Sequence, residues 1–132
     1  PRITHMMKSI DFMSTHRDRY PALADSAAYA RIRQTESGYR NHRFPYIKTN
    51  DLGSRATKEA FRSGDIVALV SKTDGLDVTH MGVIIKDEKG TPHLLHASST
   101  LGKVTLEEEP LVDFVRRNRN WLGVRVFRIP RQ

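Results

Sequence analysis

Apolar positions along this chain follow two regimes that meet near residue 63. In the first, they recur at intervals of three and four. THMMKSIDFMSTH places Met6, Ile10 and Met13 on one helical stripe. Pro21 in YPAL interrupts it, since proline lacks a backbone donor and disfavours helix in the residue before it. Asp25 or Ser26 can cap a second helix, SAAYARIRQTESGYR, with Tyr29, Ile32 and Arg33 inward and Gly38 ending it. FPYIKTNDLG reads as extended chain and turn, and a short helix is expected between Ser54 and Phe61.

In the second regime the signal is that of strands. SGDIVALVS, residues 63–71, is a compact apolar run entered through a Gly-Asp turn. VTHMGVIIK and PHLLHASS follow as two more strands. LEEEPLVDFVRRNRN suits a helix starting near Pro110, with Leu111, Phe114 and Val115 on its inner face. GVRVFRIP reads as a fourth strand stopped by Pro130. The order predicts an α+β fold: N-terminal helices over 1–62, then an antiparallel sheet with one helix over 63–132. No repeat, low-complexity tract or linker divides the chain, so 1–132 reads as a single domain or as the C-terminal part of a larger one.

Two of these strands carry histidines where apolar residues normally pack. Strand side chains alternate between faces, so His80 shares a face with Gly82 and Ile84, and His96 shares one with Leu94 and Ser98. DEKG, residues 87–90, suits a type I turn followed by Gly90 in the left-handed conformation. That loop sets Asp87 opposite Thr91 and His80 opposite Ser98, diagonal to His96 on one face. Diagonal neighbours lie about 7–8 Å apart, within reach of a shared group. A two-residue turn would put the two rings on opposite faces. Gly82 leaves space beside His80, and a glycine inside a strand marks close approach of a backbone or ligand. The competing reading makes both histidines ordinary strand residues and Gly82 a bulge. His93 falls on the other face of its strand, toward solvent.

Other chemistries find less support. A metal site would need a third ligand from a carboxylate such as Asp77, and no HExxH motif accompanies it. A glycosidase needs two opposed carboxylates, whereas Glu107, Glu108 and Glu109 are neighbours before a proline and suit a helix start. The formal charge of +7 favours anionic partners such as nucleic acid, a membrane surface or cell wall. Its only dense spots are RNHR at 40–43 and RRNR at 116–119, without the aromatic interleaving or finger spacing of nucleic-acid modules. No apolar run approaches the roughly 18 residues of a membrane span.

The ordered set SGDIVAL, THMGVII, LLHASS and GVRVFRI, together with FMSTHRDRYPAL and GLDVTHMG, resembles the NlpC-type cell-wall cysteine hydrolases. It is most similar to their N-acetylmuramoyl-L-alanine amidase-like branch, from about Ile10 to Pro130. The resemblance implies a papain-like core, no cofactor, a peptidoglycan or muropeptide substrate and a periplasmic or cell-envelope location. It makes His80 the base and His96 its orienting residue, partners of a cysteine nucleophile. Asp77, Gly82, Ser98 and Ser99 flank them as candidate substrate-binding residues, although each also suits a turn or cap.

The chain departs from that pattern at its centre, because it contains no cysteine. Disulfides, thiolate metal sites and a thiol nucleophile are therefore excluded within these residues. The family's cysteine lies on an N-terminal helix upstream of the matched region. The expectation is that this chain supplies the histidine half of a Cys-His-His site and needs a missing N-terminal segment of the same protein. The alternative is a non-catalytic wall-binding module that keeps the pocket without the nucleophile.

Overall fold

The computed structural model describes residues 1–131. Seven strands among them form one antiparallel sheet in the order β1-β2-β7-β3-β4-β5-β6. Strand β1 is Thr4–Lys8, β2 His42–Lys48, β3 Ile66–Ser71, β4 Val78–Lys86, β5 Pro92–Ser98, β6 Lys103–Leu106 and β7 Trp121–Phe127. The helices are short: α1 Phe12–Thr15, α2 Ser26–Ser37, α3 Thr49–Leu52, α4 Arg55–Ala60 and α5 Leu111–Arg116. The class is α+β, as the order of sequence signals predicts.

Where capping chemistry is explicit, the helices form as expected. Asp25 accepts a hydrogen bond from the Ala27 amide at 3.0 Å to open α2, and Gly38 closes it. Ser54 caps α4 through the Thr57 amide at 3.2 Å. Tyr29 and Ile32 turn inward on α2, but Arg33 is exposed.

The N-terminal stripe is a misreading. THMMK is strand β1, paired with β2 from Thr4–Tyr46 to Lys8–His42, and only Phe12–Thr15 is helical. Met6 packs against a small cluster of Phe44, Tyr46 and Val70. That contact spans some forty residues of chain, and such tertiary partners override a weak helical period. FPYIK belongs to β2 and TNDL to helix α3, so residues 1–62 contribute two strands rather than helices alone. GVRVF lies in β7, an interior strand between β2 and β3 that ends at Phe127, before Pro130, and the four-residue β6 carries no strong apolar pattern to reveal it.

Adjacent residues of β3 serve opposite faces. Val67 and Leu69 join Ile84, Leu94 and Val124 in the main core, which α3 covers with Leu52 and α5 with Leu111, Phe114 and Val115. Val70 turns to the other face and the smaller cluster. At the far end of β3, both oxygens of buried Asp65 accept hydrogen bonds from Arg128 at 2.7 Å. That hydrogen bonding holds the carboxyl below the usual carboxylate range despite its burial. It satisfies a charge that would otherwise be costly inside the fold.

Candidate active site

The β4–β5 hairpin decides whether the two histidines meet. Its pairing runs from Val83–Leu95 to Lys86–Pro92, the register expected for the three-residue loop. The Asp87 amide donates to Thr91 O at 3.0 Å, and Gly90 adopts φ +80°. His80 pairs across β3 with Leu69, so it faces the main-core side of the sheet. His96, two residues from Leu94 on β5, faces the same side and is buried.

The two rings touch. His80 Nε2 lies 2.8 Å from His96 Nδ1, with the ring planes at 89°. His96 Nε2 in turn lies 2.8 Å from Glu107 Oε1. These contacts assign the tautomers. An ionised Glu107 can only accept, so His96 donates from Nε2, and in its neutral form it presents a lone pair at Nδ1. His80 must then donate from Nε2, which leaves its Nδ1 as a free lone pair. A carboxylate and two imidazoles thus form a relay ending in a base. Burial, and secondarily the proximity of His96, pushes the His80 pKa below its ordinary value. The neutral, proton-accepting form is favoured.

Aromatic residues fix these rings. Trp121 stacks on His80 with centroids 6.1 Å apart and planes at 15°. Phe114 meets His96 edge-on at 5.0 Å and stacks on Trp121 at 5.3 Å. Trp121 Nε1 donates to Thr79 Oγ1 at 3.1 Å. Together they wall a cavity of about 610 Å3 that His80, His96, Ser98, Ser99 and Glu107 also line. A larger hollow of about 850 Å3, between α2 and residues 9–15, is lined by Arg33, Glu36 and Arg40 but by no histidine.

The sequence candidates therefore separate. Ser98 and Ser99 line the cavity with the histidines, although Ser98 Oγ also accepts from the Leu101 amide at 3.2 Å, as a turn residue does. Asp77 and Gly82 do not line it. Asp77 Oδ1 accepts from the Val78 amide at 2.8 Å, and its other oxygen is 4.0 Å from Arg125 Nη1. Gly82 marks a close approach, but of protein: a Cβ there would overlap Leu94 Cδ1 and sit 2.8 Å from Leu95 O. The space beside His80 is filled by β5.

Glu107 is the residue that sequence reasoning misplaced. Its position before Pro110 suggested a helix start, yet its backbone amide bonds Leu94 O at 2.9 Å and its side chain reaches around to His96. Trp121 and Arg117 were also missed as cavity residues. A short exposed strand followed by three consecutive glutamates gives no periodic signal that one of them turns to a neighbouring strand. Behind the site, Lys8 Nζ donates to Ser71 O at 2.9 Å and Leu76 O at 2.7 Å, tying β1 to the loop that launches β4.

His93 is not solvent-directed. Its Nε2 lies 2.8 Å from Asp87 Oδ2, and its Nδ1 lies 3.0 Å from Glu107 O and 2.9 Å from Glu109 O. Burial opposes its protonation, but these hydrogen bonds outweigh it and raise the pKa above the ordinary value.

Comparison with known proteins bears on this arrangement. The chain is 33% identical to a Bacteroides fragilis protein provisionally named as a xylanase, with a TM-score of 0.85 over 96% of this chain and 54% of that one. It is 32% identical to an N-acetylmuramoyl-L-alanine amidase from Bacteroides uniformis ATCC 8492, with a TM-score of 0.83 over 93% of this chain and 52% of that one. A Legionella pneumophila protein shares the fold at 17% identity and a TM-score of 0.57, over 95% of this chain and 49% of that one. The chain thus spans about half the length of the solved structures it matches. No curated protein matches it. Residues 1–124 match the AmiA-like family, described as N-acetylmuramoyl-L-alanine amidase-like, and the chain belongs to that family.

Proposed function

We propose that this chain forms the base-bearing part of a peptidoglycan amide hydrolase. The bond cleaved is the one between muramic acid and L-alanine, or a neighbouring amide of the stem peptide. The observation that carries the reading is the Glu107–His96–His80 relay, which ends in a free imidazole nitrogen beside an open cavity. Membership of the amidase-like family supports the substrate class. The formal charge of +7 agrees with an acidic wall polymer. Action on peptidoglycan places the protein in the cell envelope.

In this reading the nucleophile is a thiol supplied from outside these residues, which themselves hold no cysteine. The arrangement is then that of a papain-like site. His80 Nδ1 takes the thiol proton, and the sulfur attacks the amide carbonyl carbon. The imidazolium so formed is stabilised through His96 by the charge on Glu107. Collapse of the intermediate breaks the carbon–nitrogen bond as His80 returns the proton to the leaving amine. The same nitrogen then deprotonates a water that cleaves the thioester. Ser98 and Ser99 contact the peptide at the cavity rim, while Asp77 shapes the approach to β4.

A second reading, a wall-binding module without turnover, is favoured by the missing cysteine. Xylan cleavage, which the name of the Bacteroides fragilis relative suggests, needs two carboxylates across a cleft. Among the described residues, Glu107 is the only carboxylate lining this cavity, and it is committed to His96. The complete protein should release peptides with a free amino-terminal L-alanine from purified muropeptides, read by mass spectrometry. Sacculus binding with no released peptide would support the module instead.

A further inference from the structure

The relay has a second anchor on the opposite face of β5. Glu107 belongs to a segment that wraps the strand edge on its way from β6 to α5. Its side chain lies on the cavity side with His96, while its carbonyl faces the outer side with His93. His93 Nδ1 sits within 3.0 Å of the Glu107 and Glu109 carbonyl oxygens, and its Nε2 sits 2.8 Å from Asp87 Oδ2. All three partners are acceptors. Only an imidazole protonated on both nitrogens satisfies them together.

Asp87 is itself fixed. Its other carboxylate oxygen accepts from the Lys89 amide at 2.9 Å and the Thr91 amide at 3.0 Å, within the hairpin loop. Arg117, just past the end of α5, approaches the same segment, 2.7 Å from Glu109 Oε1 and 3.6 Å from Glu107 Oε2. Asp87 is thus the charged group whose side chain contacts His93, while the Glu107 carboxylate lies with His96 on the other face and the Glu109 carboxylate pairs with Arg117.

We propose that His93, held by Asp87, is a positioning residue whose protonation clamps the 107–109 segment and so regulates the alignment of Glu107 with the histidine relay. The inference rests on Glu107 orienting His96, as in the proposed function, and deepens it into regulation by pH. With both nitrogens protonated, His93 donates to the carboxylate on one side and to two carbonyls on the other. When it loses a proton, the remaining N–H stays with the charged acceptor, Asp87, because charge-assisted hydrogen bonds are the stronger kind. A lone pair then faces two carbonyl oxygens, and the segment is released. The raised pKa moves this release to higher pH than the ordinary histidine value.

The test reads the relay itself rather than turnover, so it stands apart from the fate of the amidase reading. Nitrogen-15 spectra of the imidazoles report which His96 nitrogen carries the proton. As His93 titrates, the His96 Nε2 and Nδ1 resonances should move from well-separated values toward a common mean. Asp87→Asn should shift that transition to lower pH, and His93→Gln should abolish it, with hairpin amide exchange confirming the fold of each variant. A His96 signature that stays constant while His93 titrates would overturn the proposal. So would an unchanged transition in His93→Gln.

Discussion

The two faces of β5 carry histidines three residues apart whose environments oppose one another. On the cavity face, His96 contacts His80, and burial drives His80 toward its neutral form. On the outer face, His93 is surrounded by acceptors and held toward its charged form. Strand β5 thus backs a proton acceptor, His80 of β4, on one face and carries an imidazole held toward its charged form on the other. Burial opposes protonation of both His80 and His93, and the difference lies in what else each ring meets: His93 has a carboxylate and two carbonyl oxygens to donate to, whereas His80 meets another imidazole. The lesson is that an imidazole's role follows from the donors and acceptors offered to its two nitrogens.

The sharpest way to break this contrast is to remove the cavity-face base. His80→Ala in the complete protein should lower kcat/KM on muropeptides by about 10²–10⁴-fold, the usual worth of a positioned general base. Turnover at the wild-type rate would remove His80 from the chemistry. Glu107→Gln should follow with a smaller loss, on the order of 10²-fold, because an amide can present either an oxygen or an NH2 to His96 and so no longer fixes its tautomer. Kinetics as a function of pH would show that loss as a distorted profile.

Two further tests concern the scaffold. Gly82→Ala should cost about 1–3 kcal/mol in denaturant unfolding, the range for overpacking a close contact, because Leu95 O is backbone and cannot swing aside. Full stability in that variant would show that β5 is not pressed against β4 as described. The smallest effects are the pH slopes. His80 has a depressed pKa, so the unfolded chain binds its proton more readily; stability falls as pH drops below about 6.5, and His80→Gln should flatten that acid limb. His93 has a raised pKa, so its contribution is fully present below about 6.5 and is lost as pH rises through the folded value. His93→Gln should flatten the alkaline side instead. Slopes of the same sign for both variants would contradict the comparison.

How much of this was legible in the sequence depends on whether a feature is local. The DEKG loop fixes its own register, and with it the common face of His80 and His96. Leu111, Phe114 and Val115 repeat at helical spacing, and all three are buried. By contrast, β1 exists because Met6 finds Phe44, Tyr46 and Val70, partners that no local pattern names. Glu107 was seen but read through its nearest neighbour, Pro110, when its decisive partner was His96 on the adjacent strand. Gly82 was rightly suspected of close approach, yet what approaches is Leu94 and the Leu95 carbonyl rather than a ligand. Side-chain contacts across strands are set by the sheet, and the short exposed β6 that carries Glu107 into place left little trace in the pattern.

Glu107 and His96 together lock His80 with its proton on Nε2 and a lone pair on Nδ1. Nitrogen-15 spectroscopy of the His80 ring near neutral pH tests it directly. The expected spectrum is that of a neutral imidazole with a protonated Nε2 and an unprotonated Nδ1, and Glu107→Gln should blur that assignment. A proton found on Nδ1, or a His80 tautomer indifferent to Glu107, would contradict it.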